Sequence, residues 1–329
     1  MKKFMNAADS VVAESLAGFV RAHEEWIVFG RARKFVRRRD LVPGKVAIIS
    51  GGGSGHEPLH SGFVGPGMLD AACTGHIFTS PTPDQIVAAI EETDTGAGCL
   101  LIVKNYDGDV MNFEMAAEMA AERHRVEMVV VQDDAATGPA VRSQGRRGVA
   151  GTIVVEKLIG AAAERGAPLD TLKALGEALD PRIRSMGVAL RGVVVPNNAR
   201  ETFALGPDEM EIGVGIHGEP GLYRTRLAPA GEIVRLLCEP VLADLDPAPG
   251  ARPVLIVNGF GGTPPTELYL AYGLARDLFE AHGIVPARSL VGTFVTSLDM
   301  AGLSVTLALL SEEEFALWCA PVATPSLTW

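Results

Sequence analysis

The sequence predicts an α/β chain of two domains: an N-terminal, mainly parallel sheet with helices on both faces, then a smaller C-terminal α+β domain. Three observations lead there. Short, continuously apolar runs alternate with stretches of helical periodicity through the first half, the pattern of βαβ units whose strands are buried on both faces. The length, 329 residues, suits two cores rather than one. From about position 180 the texture changes to more strand-like runs and fewer helices, which sets the domains at 1–183 and 184–329.

Taken in order, Val12, Leu16, Phe19 and Val20 recur at helical spacing behind Asp9 and Ser10, either of which can cap a helix. Residues 46–50 form a short buried strand that ends in four glycines within five positions, Gly51, Gly52, Gly53 and Gly55. An apolar run at 69–73 leads into Thr74, Gly75 and His76. Thr82, Pro83 and Gln85 then supply an N-cap, a proline at the first helical position and the glutamine of a capping box, so a helix should run to about Thr93. Strands follow at 99–103 and 126–131, and helices at 110–125 and 151–165. In the second domain strands are expected at 187–195, 209–216, 254–257, 289–296 and 303–309, with helices at 229–237, 266–282 and 312–317. Residues 246–253 and 321–329 read as Pro-rich connections or a terminal arm.

Each strand of the first domain ends in a polar or Gly-rich loop. Such loops gather at one sheet edge, where open α/β sheets bind their ligands. The glycine stretch is expected to be a loop that permits positive φ and lets a ligand approach the main chain. It carries Ser54, His56 and Glu57, and His56 can change charge near neutral pH. No Lys-Ser/Thr follows the glycines and the spacing misses Gly-x-Gly-x-x-Gly, so neither common nucleotide loop is present. Lys104, Asn105, Asp107, Gly108 and Asp109 follow the strand at 99–103 and fall at the same edge. They are either a ligand-binding set or a solvated connection in which Asp109 caps the next helix. His217 stands among glycines after a strand, with its ring unobstructed. A neutral imidazole there can attack a carbonyl or act as a base, or it is a turn residue bonded to backbone. The glycine-rich turn at 258–265 faces a ligand or a subunit. His60 and His76 suit supporting positions, and His124 and His282 belong at the surface.

A formal net charge of −11 disfavours nucleic acid as the main partner, and the basic run at 31–39 reads as a solvated face. Cys73, Cys99, Cys238 and Cys319 lack the spacing of a zinc site or a disulfide framework, so no metal is expected and the thiols are those of a cytoplasmic protein. The N-terminus lacks the apolar stretch of a signal peptide and no run reaches membrane-spanning length, so no membrane partner is expected.

The motifs together resemble the substrate-binding K subunit family of dihydroxyacetone kinases. The matching stretches are Gly51-Gly52-Gly53-Ser54-Gly55-His56-Glu57-Pro58 and Leu101-Ile102-Val103-Lys104-Asn105-Tyr106 with Gly108-Asp109. Further matches are Arg147-Gly148-Val149-Ala150-Gly151-Thr152, Gly215-Ile216-His217-Gly218-Glu219-Pro220-Gly221 and Thr296-Ser297-Leu298-Asp299-Met300-Ala301-Gly302. The resemblance implies that His217 captures the carbonyl carbon of dihydroxyacetone as a hemiaminal. It implies that Gly53, Ser54, Gly55, His56, Lys104 and Asp109 bind the substrate, with Asp109 or His56 as general base. The segment 194–203 is expected to line the site. No second, nucleotide-binding domain is recognised, so no cofactor is expected on this chain. A separate L subunit should carry ADP or ATP with magnesium, recharged by a phosphocarrier M subunit or used directly. The resemblance also implies a homodimer. Two other readings are a kinase subunit for a four-carbon ketose such as erythrulose, and a non-catalytic ketose sensor that controls transcription.

Overall fold

The computed structural model describes residues 2–138, 145–196, 201–247 and 249–329. The chain forms two compact units. The first gathers Met1–Val131, Ile153–Ala178 and Leu317–Trp329, and the second gathers Gln132–Thr152 and Leu179–Ala316. The units interleave along the chain, whereas the sequence texture points to one cut after position 183. Texture marks where a new set of strands begins, but it carries no sign of a terminal segment that returns to the first unit.

The first unit contains α1 (Val11–Ala22), β1 (Ile27–Phe29), β2 (Val36–Arg38), β3 (Ala47–Ser54), β4 (Ala71–Ile77), α2 (Pro83–Thr93), β5 (Cys99–Lys104), α3 (Asp107–Ala120) and β6 (Val126–Val131). The helices α4 (Thr152–Glu164) and α5 (Leu169–Leu179) follow. Its sheet runs β1-β2-β4-β3-β5-β6. The four strands from β4 to β6 are parallel, and β1 and β2 extend the sheet antiparallel. Ile86, Ala89 and Ile90 of α2 and Phe113 and Ala116 of α3 pack on Ile49, Cys73, Leu101 and Val103. On the other face Gly176 of α5 lies against Val129 of β6 and Ile159 of α4. Burial on both faces explains why these strands read as unbroken apolar runs.

The capping box forms as the residues require, with the Thr82 N–H donating to Gln85 Oε1 at 2.9 Å. Ser10 occupies the N-cap position of α1, yet its hydroxyl makes no capping bond and turns to the Ala7 carbonyl at 3.4 Å instead. The helix α5 escapes the sequence reading, although Leu169, Leu172 and Leu179 bury its apolar stripe. The basic run is tied down more than a solvated face would be: Arg37 pairs with Glu92 at 2.7 Å, and Arg38 is buried with Asp70 and Glu164. The segment 321–329 lies as an arm on the first unit, held by Ala323 N–H to Pro66 O at 2.9 Å and by Ser326 N–H to Gly62 O at 3.0 Å.

The second unit contains β7 (Ile183–Arg191), β8 (Glu209–Ile212), β9 (Tyr223–Arg226), α6 (Ala230–Ala243), β10 (Arg252–Gly259), α7 (Pro265–Ala281), β11 (Arg288–Gly292), β12 (Ala301–Leu310) and most of α8 (Glu312–Trp318). The sheet order is β11-β10-β12-β7-β8-β9, antiparallel throughout except for β10 beside β11. Leu237, Cys238 and Val241 of α6 and Leu268, Ala275 and Phe279 of α7 pack on Val188, Leu255, Val257, Val305 and Leu307. The strand expected over 209–216 stops at Ile212 because Gly213 takes φ +76°, a left-handed turn that a strand cannot contain. β9 has no apolar alternation to reveal it, since an edge strand with exposed Tyr223, Arg224 and Arg226 buries little.

Candidate functional site

The glycines at 51–53 are strand, not loop. Gly51 pairs with Cys73, Gly52 with Thr74 and Gly53 with Gly75, so β3 continues to Ser54. Positive φ appears only at Gly55, so freedom of φ is not why three glycines follow Ser50. Close approach is the reason. A Cβ on Gly52 would stand 2.4 Å from Lys104 Nζ, and one on Gly53 would meet the backbone of Thr79 and Phe78 at 2.5 and 2.8 Å. Gly53→Ala is therefore expected to cost about 1–3 kcal/mol of stability, the range of an overpacked core. Denaturant unfolding measures it, and an unchanged midpoint would show that the 78–79 turn moves freely.

β3 lies between β4 and β5, the two strands reached by successive crossovers, so its carboxyl end is a switch point of the sheet. Lys104 ends β5 there, fully buried, and its Nζ is 3.6 Å from Asp109 Oδ2 and 3.4 Å from the Gly51 carbonyl. Asp109 is buried in the first turn of α3, where the helix dipole favours a carboxylate, but Tyr106 rather than Asp109 is the N-cap. His56 is also buried, with its ring stacked on Phe78 at 5.1 Å between centroids. Phe78 holds φ +53°, an uncommon conformation for a bulky residue, in the turn that closes over Gly53. Gly53, His56, Lys104 and Asp109 thus gather within the first unit. A cavity of about 320 Å³ beside β3 is lined by Gly52, Gly53, Ser54, Thr74, His60 and, from α1, Leu16. It reaches His60 rather than His56, Lys104 or Asp109.

His60 and Glu156 are the residues that sequence reasoning undervalued or missed. His60 is buried, with Nε2 2.9 Å from Lys104 Nζ and Nδ1 2.5 Å from Glu156 Oε1 and 3.0 Å from Ser50 Oγ. A signal for Glu156 was present in the sequence: Ile153, Val154, Val155, Leu158 and Ile159 make α4 apolar all round, so any charge within it must be buried. His76 is exposed, and His124 sits half-buried against Asp94 at 2.9 Å rather than in open solvent. His282 caps α7 through Leu278 O at 2.9 Å.

His217 belongs to the second unit, on the turn after β8. Its N–H donates to Glu219 Oε2 at 2.8 Å. Arg147 clamps that turn, donating through Nη1 to Glu219 Oε1 at 3.2 Å and through Nη2 to the Gly213 carbonyl at 2.8 Å. The guanidinium is held in turn by Asp134 Oδ2, 2.7 Å from Nε. Burial pushes the Asp134 carboxyl up to about 6, against the pull of Arg147. Gly218 has φ +75°, and a Cβ there would strike Val193 Cγ1 at 2.6 Å and Thr202 Oγ1 at 2.7 Å. Those parts of the 194–203 segment that are described therefore run beside the turn of His217, while 197–200 lie outside the described residues. The hold of Arg147 on this turn is not legible in the sequence, because its partners are distant along the chain.

A glycine-rich strand end, a buried cation and a buried carboxylate are features that suit a small polar ligand at the edge of a parallel sheet. The Dak1 domain profile matches residues 17–326, and the chain belongs to the Dak1 domain family. It is 48% identical over 316 residues to the PTS-dependent dihydroxyacetone kinase 1, dihydroxyacetone-binding subunit DhaK, of Listeria innocua, covering 96% of each chain. Among solved structures it resembles the dihydroxyacetone kinase operon co-activator Dha-DhaQ, with a TM-score of 0.91 and 33% identity over 95% of this chain and 97% of that one. It also resembles the dihydroxyacetone kinase of C. freundii, with a TM-score of 0.87 and 36% identity over 99% of this chain and 60% of that one.

Proposed function

We propose that this chain is the dihydroxyacetone-binding subunit of a dihydroxyacetone kinase, a phosphotransferase with an alcohol group as acceptor. The observation that carries the reading is the near full-length similarity to a protein named as such a subunit. The residues at the glycine strand support it, because Lys104 and Asp109 offer a cation and a carboxylate suited to the hydroxyls of a short ketose. In this reading His217 attacks the carbonyl carbon, the carbonyl oxygen takes up a proton, and the ring nitrogen loses one to give a neutral hemiaminal. Gly53, Ser54 and Gly55 present backbone to the ligand, His56, Lys104 and Asp109 hold its hydroxyls, and Asp109 or His56 removes the proton of the hydroxyl that attacks phosphorus. Arg147 and Glu219 hold the backbone of His217 in place.

The phosphate donor is proposed to be a nucleotide with magnesium on a separate L subunit, recharged by a phosphocarrier M subunit. The PTS-dependent name of the Listeria relative supports this arrangement. We further propose a cytoplasmic homodimer acting in glycerol metabolism. A ketose sensor is the second reading, favoured by the structural likeness to the co-activator. The test is turnover and intact mass with dihydroxyacetone, erythrulose and glycerol, with and without an L subunit. Phosphorylation of dihydroxyacetone that requires the L subunit is expected. An adduct without turnover under any partner would favour the sensor, and faster turnover of erythrulose would change the substrate.

A further inference from the structure

Lys104 is fully buried, and a buried ammonium must find acceptors. The nearest is His60 Nε2 at 2.9 Å. An ammonium only donates, so Nε2 must be bare and the proton of the neutral imidazole must sit on Nδ1. Nδ1 faces Glu156 Oε1 at 2.5 Å and Ser50 Oγ at 3.0 Å. The Ser50 hydroxyl donates to the Ile102 carbonyl at 2.7 Å, so towards the ring it can only accept. Donation therefore runs one way, from Lys104 through His60 to Glu156.

We propose that Glu156, acting through His60, is a positioning residue for Lys104: the carboxylate fixes the imidazole as its Nδ1–H form, leaving Nε2 to aim and balance the ammonium. The proposal rests on the reading of Lys104 as a residue that holds the ketose hydroxyls. If Glu156 gains a proton, its O–H donates to Nδ1 and the ring proton moves from Nδ1 to Nε2. Nε2–H then meets the Lys104 ammonium donor to donor, and the lysine is displaced. Burial pushes the Glu156 carboxyl up to about 8, against the charge of Lys104. Burial, then Lys104, then His56 hold His60 well below its ordinary value, which keeps the ring neutral while Glu156 titrates. Asp109, whose Oδ2 is 3.6 Å from Lys104 Nζ, is a further charged group beside the pair among the described residues. The grip of Lys104 on the ligand accordingly strengthens as pH rises through about 8.

The test uses the full chain with an L subunit and dihydroxyacetone. Glu156→Gln removes the charge that fixes the ring proton on Nδ1, and Glu156→Asp restores it. In the wild type, 1/KM is expected to rise with pH along a limb governed by Glu156. Glu156→Gln should lose that limb and show a KM about 10- to 100-fold higher above it, the scale of a lost hydrogen bond to a charged group. Its kcat should change less, and Glu156→Asp should recover the limb. Nitrogen-15 spectra of histidine-labelled wild type should show His60 protonated on Nδ1 above the limb and on Nε2 below it. Glu156→Gln with wild-type KM and the same limb overturns the inference. So does a His60 protonated on Nε2 at every pH, a result that requires no variant to fold. Failure of the wild type to phosphorylate dihydroxyacetone with an L subunit would instead sink the functional reading, and the nitrogen spectra would still decide the role of Glu156.

Discussion

His217→Ala is expected to abolish the protein-bound ketose adduct and to raise KM for dihydroxyacetone by about 10²- to 10³-fold, equivalent to about 3–4 kcal/mol. The ligand is the reason for so large an effect. A three-carbon ketose offers little apolar area, so ordinary burial contributes little to holding it. In the proposed capture by His217, a covalent bond to its electrophilic carbon would supply what contact area does not. Glycerol has no such carbon, so the variant should also lose the preference for dihydroxyacetone over glycerol. The turn has a hold besides that side chain, since Glu219 holds the backbone N–H of His217 and Arg147 holds Glu219. Intact mass and a ligand-soaked crystal measure the adduct. Continuous density from the ketose to another residue in the variant would show that capture has been assigned to the wrong side chain.

Asp109→Asn should leave capture intact and lower phosphoryl transfer by about two to four orders of magnitude, the usual loss when a general base is removed. The substitution preserves the shape of a side chain buried beside Lys104 while removing its charge. Capture and transfer therefore separate. The adduct on His217 should form as in the wild type, and the transfer rate, measured in a single turnover with saturating L subunit, should fall. Near wild-type transfer would assign the base to His56, which is buried against Phe78.

Sequence alone determined the elements whose causes are local. The capping box of Thr82 and Gln85, the unbroken apolar runs of β5 and β6 and the alternation of strand with helix are properties of neighbouring residues, and each appears where the sequence puts it. The family was legible for a related reason, since its motifs are short and stand in order along the chain. Elements stabilised mainly by distant partners were not legible. Gly51, Gly52 and Gly53 look like a turn in isolation, and only pairing with Cys73, Thr74 and Gly75 makes them strand. The exposed edge strand β9 carries no periodic pattern because it buries little.

The sequence singled out His56, Lys104 and Asp109 of the first unit and His217 of the second as residues able to do chemistry. Tertiary structure alone decided what holds them. Lys104 meets His60 across 44 positions of chain, His60 meets Glu156 across 96, and Arg147 reaches Glu219 across 72. Reactive residue types can be recognised one at a time, because their chemistry is intrinsic. Their orientation, tautomer and charge depend on buried partners, and burial is what makes those partners matter: without water to satisfy it, each polar group is governed by the neighbour the fold brings to it.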